Sequence, residues 1–98
     1  MALSKNDDIR IAFSTNLKYY RIENNLTQSE LAEKINLTDK YISNLERNKF
    51  TPSLDTINDI ATIFSIEPYL LIKYNESHFN TPNRLDIKTG TRRKKIND

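Results

Sequence analysis

The stretch LTDKYISNLERNKFTPS, residues 37–53, concentrates side chains that reach, stack and donate hydrogen bonds. Read as one short helix, it turns Ile42 and Leu45 inward and leaves Lys40, Tyr41, Asn44, Arg47 and Lys49 on the other face. Such a face suits the edges of base pairs in a major groove, which offer donors and acceptors side by side. Lys40 and Arg47 can donate to guanine or to phosphate. Asn44 can bond adenine through both ends of its amide, and Tyr41 can meet a phosphate or a thymine methyl. The competing use of the same face is simple solvation. Which use applies depends on the elements that hold it.

Those elements read as helices, without the sustained alternation of a strand. Ile9, Phe13, Leu17 and Tyr20 recur at helical spacing and predict a first helix from about Asp7 to Glu23, with Asp7 and Asp8 at the positive end of its dipole. Thr27 and Glu30 form a capping box for a second helix running to about Ile35, stapled by Leu26 and Leu31. Thr38 caps the third helix, and Leu37 with Ile42 repeats the staple. Ser53 caps a fourth that carries Leu54, Ile57, Ala61 and Phe64 on one face. Pro68 suits the first position of a fifth, where a missing N–H costs nothing. Asn25, Asn36 and Asn48 stand where the chain must turn, and asparagine tolerates the left-handed conformation. The expected fold is all-α, a compact five-helix domain over residues 7–74, followed by a basic, mostly unstructured tail over residues 75–98.

Bulk properties narrow the function. Ninety-eight residues make one domain, and no cysteine is available for a disulfide or a thiolate metal site. His78 stands alone and predicts neither catalysis nor metal binding; no nucleophile–base set or glycine-rich phosphate loop accompanies it. No cofactor and no enzymatic activity are expected. The N-terminus lacks an apolar signal-peptide segment, and no run is long enough to span a membrane, so a cytoplasmic, nucleoid-associated protein is expected. A formal charge of +2 is too small to argue for a nucleic-acid partner on its own. The basic run TRRKKIND near the end either is solvated or adds phosphate attraction.

The segments TQSELA, YISNLER and PSLDTINDIA, in that order and preceded by Arg21, resemble the Cro/C1-type helix-turn-helix domain of the Xre family of bacterial and phage regulators. The likeness covers about residues 9–74. It implies a lambda-repressor-like fold in which the second and third helices form the DNA-binding motif. Matched position by position, it implies a phosphate contact for Gln28 and contacts from Lys40, Tyr41, Ser43 and Asn44 on the recognition helix. Thr38 and Asp39 open that helix; Asp39 can accept from a cytosine amino group. Arg47, Asn48 and Lys49 match a segment that meets the DNA backbone, and Arg21 with Glu46 matches a buried ion pair between the first and third helices. Asn25, Asn36 and Asn48 replace glycines of the family pattern.

The expected function is therefore sequence-specific transcriptional regulation by a homodimer on a pseudo-palindromic double-stranded DNA operator, without a small-molecule effector. Autoregulation is expected, of the phage-repressor or restriction–modification controller type, the latter slightly favoured. Ile66, Leu70, Leu71, Ile72 and Tyr74 exceed what one inward stripe can use; core packing claims some, and the expected dimer contact draws on Ile66, Leu70, Ile72 and Tyr74. The rival reading is a protein-interaction module such as an antitoxin or regulatory adaptor.

Overall fold

A computed structural model describes residues 8–82. Its α-helices are α1 (Ile9–Glu23), α2 (Gln28–Lys34), α3 (Asp39–Glu46) and α4 (Leu54–Phe64). Two 3-10 turns follow, Pro68–Leu71 and Glu76–His78. No strand occurs among the described residues. No described helix is long and apolar enough to cross a membrane.

Each helix begins on a side-chain cap. Asp8 accepts from the N–H groups of Arg10 and Ile11, so α1 starts at Ile9, slightly later than expected; Asp7 lies outside the described residues. Thr27 and Glu30 form the reciprocal capping box of α2, while Thr38 accepts from the Tyr41 N–H and Ser53 from that of Thr56.

The helix ends are equally uniform. After α1, α2, α3 and α4 the chain passes through a left-handed residue: Asn25, Asn36, Asn48 and Ser65, all with φ between 57° and 60°. The next N–H then returns to a carbonyl of the last turn: Leu26 to Arg21, Leu37 to Ala32, Lys49 to Asn44 and Ile66 to Ala61. The asparagines fall at the expected turns. Ser65 was not anticipated.

The core joins Phe13 and Leu17 of α1 to Leu31, Ile42, Leu45, Ile60, Phe64 and Leu71. Two expected core positions lie outside it. Ile9 is 55% exposed and Leu54 83%, because each sits in a first turn that overhangs the packed region. In α4 the inward stripe instead runs Ile57, Ile60, Ala61 and Phe64. Leu26 packs on the core as the first staple requires, whereas Leu37 stays 36% exposed.

The expected fifth helix is a four-residue 3-10 turn. Asn16, buried in the middle of α1, explains why it stops. Its amide donates to the carbonyls of Leu70 (3.1 Å), Leu71 (2.9 Å) and Lys73 (2.9 Å). Carbonyls that converge on one side-chain amide are not parallel to a common axis, as a continuing helix requires. The expected tail boundary is also corrected for residues 75–82. Asn75 caps the second 3-10 turn, and His78 is buried. The basic run at residues 92–95 lies outside the described residues.

Candidate nucleic-acid interface

The helix-turn-helix is built from α2, the left-handed turn at Asn36 and α3. A second link fixes the pair: the Ser29 hydroxyl donates to the Asp39 carboxylate at 3.1 Å. Asp39 thus ties the start of α3 to α2, a contact the sequence did not reveal.

Arg21 and Glu46 form the anticipated ion pair. The Arg21 side chain has no exposure and that of Glu46 has 5%. Arg21 Nε donates to Glu46 Oε2 at 2.5 Å, and Nη2 to Oε1 at 3.1 Å. Its Nη1 donates to the Leu26 carbonyl at 2.8 Å, so one guanidinium holds α1, the α1–α2 turn and the end of α3. Gln28, at the first position of α2, donates from Nε2 to the same Glu46 Oε1 at 3.1 Å. Gln28 is therefore half-buried and oriented by the ion pair.

With Ile42 and Leu45 fully buried, the opposite side of α3 carries Lys40, Ser43 and Arg47. Lys40 and Arg47 are exposed, as are Asn48 and Lys49 just beyond. Tyr41 forms one flank, half-buried against the core, with its ring 5.7 Å from that of Phe50. Asp39 and Glu46 form the other flank, already engaged by Ser29 and Arg21. The exposed cations of this surface stand beside two acids that are occupied.

Asn44 departs from expectation. It is 9% exposed, because the Arg47 guanidinium folds over it and donates to Oδ1 at 3.0 Å. Bidentate bonding to adenine would use that same oxygen, so Arg47 competes for the group a base would meet.

The expected dimer residues are not a free stripe. Ile66 and Ile72 pack against the core, and the Leu70 carbonyl accepts from Asn16. Tyr74 is half-buried, its ring 5.4 Å from that of Phe79. The exposed aromatic ring of this segment is Tyr69, at 59%. Among the described residues, no group of three or more His, Cys, Asp or Glu side chains could hold a metal ion.

A capped helix, a tight left-handed turn and a second helix with exposed donors define a DNA-binding helix-turn-helix regulator. The chain belongs to the Cro/C1-type helix-turn-helix family, whose family model matches residues 17–71. It is 35% identical over 77 residues to the immunity repressor protein of Bacillus phage phi105, spanning 72% of this chain and 54% of that protein. This chain thus covers about half of that repressor's length. The restriction–modification controller protein C.AhdI from Aeromonas hydrophila superposes with a TM-score of 0.62 at 29% identity, covering 69% of this chain and 99% of that one. A hypothetical transcription factor from Neisseria shares the fold, with a TM-score of 0.68 at 24% identity over 89% of this chain and 93% of that one. The shared region is a DNA-binding helix-turn-helix domain of the kind found in repressor and controller proteins.

Proposed function

We propose that the protein acts as a homodimer on a pseudo-palindromic operator, in the manner of a restriction–modification controller, and regulates its own synthesis. The likeness to C.AhdI, at 29% identity over 99% of that chain, supports the controller type. Lys40, Ser43 and Arg47 address base edges and phosphates from the outward side of α3. Gln28, Thr38, Asn48 and Lys49 meet the backbone on either side, and Asp39 serves mainly the α2–α3 link.

One recognition helix reads only a few base pairs, too few to single out a site in a genome. A two-fold dimer doubles the reading. Its α3 helices then meet successive major grooves, with half-site centres about 34–36 Å apart, roughly 10–10.5 base pairs. The protein works in the cytoplasm, at the nucleoid, and its own concentration sets occupancy. Selecting bound duplexes from a random pool tests this reading. The expected product is a palindromic consensus with that spacing, matched upstream of the protein's own gene. An asymmetric consensus removes the dimer model, and no consensus removes sequence-specific regulation in favour of an adaptor role.

A further inference from the structure

Phe50 follows the cationic end of α3, yet its ring is left 47% exposed. The left-handed turn at Asn48 sends the Lys49 N–H back to the Asn44 carbonyl at 2.8 Å, folding the chain along α3 instead of away from it. The Phe50 ring therefore comes to rest 5.7 Å from Tyr41, which lies in the first turn of α3, with the ring planes 36° apart. Tyr41 is backed by the core, so Phe50 is the outer member of the pair. An aromatic side chain from beyond the C-terminus of the helix thus flanks its N-terminal half. That half is the part of a recognition helix that reaches base edges.

The Phe50 ring is 47% exposed beside Tyr41 and follows Arg47 and Lys49 in the chain, both exposed. Charged and polar neighbours match phosphates and base donors or acceptors. An apolar ring matches a different feature of the major groove, the C5 methyl of thymine.

We propose that Phe50, held in place by Tyr41, reads a thymine methyl at the flank of each half-site and so is a specificity-determining residue beside the hydrogen-bonding side of α3. This rests on the reading that α3 enters the major groove of a specific operator.

The probe is a duplex carrying the consensus that the full chain selects from a random pool. Each thymine is replaced in turn by deoxyuridine, which removes the methyl and leaves base pairing intact. At one thymine per half-site the wild type is expected to bind roughly fourfold more weakly, the value of burying one methyl-sized apolar group. Phe50→Ala is expected to bind the thymine and deoxyuridine duplexes alike. Phe50→Gln, which keeps side-chain length, replaces it if the alanine variant lacks the wild-type helical spectrum. The assignment is overturned by a consensus without thymine, by a wild type indifferent to every methyl, or by a penalty that persists in the Phe50 variant. A pool with no consensus overturns the specific-operator reading as well, and does so before any methyl is removed.

Discussion

The His78 ring nitrogen Nδ1 lies 2.7 Å from the Asn16 amide oxygen, and this buried contact fastens residues 75–82 to the middle of α1. The Asn16 amide hydrogens are spent on main-chain carbonyls, so its oxygen must accept and Nδ1 must carry the proton. Nε2 then accepts from the Asn75 amide at 3.2 Å. The imidazole also stacks on Tyr19 at 3.6 Å. Both nitrogens are satisfied in the neutral form. A second ring proton would face an amide N–H.

This arrangement makes stability depend on pH. Burial lowers the His78 pKa below 6.5, with Glu23 opposing the shift weakly. The unfolded chain therefore binds the proton more readily, so stability is fully present above about pH 6.5 and is lost as pH falls from there toward the lower folded value. Asp8 is held below the ordinary carboxylate range by the Ile11 N–H and does not titrate in this window. The melting temperature should drop between pH 7.5 and 5.5, and His78→Gln should flatten that slope. An unchanged slope in the variant assigns the effect to other groups.

Arg21→Ala should destabilise the domain by about 3–5 kcal/mol, since it strands the buried Glu46 carboxylate. That is a large part of the roughly 5–15 kcal/mol typical of a small domain. Urea unfolding followed by circular dichroism reads the loss. A variant that is stable but unable to bind DNA would instead move Arg21 from the scaffold into the interface.

Asn44→Ala separates two roles. Losing the bond to Arg47 should cost about 1 kcal/mol of stability. If Asn44 also reads a base, specific affinity should fall by about 1–3 kcal/mol at one base pair per half-site. Affinity that falls equally on every sequence would mean that Asn44 acts by aiming Arg47 at phosphate.

Ser65→Gly should stabilise the protein by about 1 kcal/mol, because a left-handed residue with a Cβ is strained. Asn48→Gly should gain less, as asparagine accepts that conformation more readily. Equal or negative changes in denaturant midpoint would contradict the strain argument.

Dimerisation is best probed at the exposed Tyr69, not at Ile72, which is partly buried against the core and would be destabilising if charged. Sedimentation at micromolar concentration should give a dimer for the wild type and a monomer for Tyr69→Asp, with the same helical spectrum. A folded variant that still dimerises places the contact on another face.

What was legible from sequence was local. Thr27, Thr38 and Ser53 announce helix starts through bonds made within three residues, and the turn asparagines act at their own φ. Family likeness added the Arg21–Glu46 pair, which spacing alone does not reveal. Features that depend on a distant side chain were hidden. The 3-10 turn at Pro68 looked like a helix because its carbonyl anchor, Asn16, stands 54 residues away from Leu70. His78 looked solitary because its partners are on α1. Asn44 looked outward because helical spacing says nothing of where Arg47 folds.

The carboxylate shared by Arg21 and Gln28 divides the proposed DNA-facing surface into positions that can drift and one that cannot. Lys40 and Ser43 lie outside the core, so under the proposed reading a lineage can retune its operator there by single substitutions. Gln28 is tethered to the ion pair that seats α3, so any replacement is judged on folding and on recognition at once. Diversification of operator preference should therefore run along the outward side of α3 while the grip at the start of α2 stays fixed.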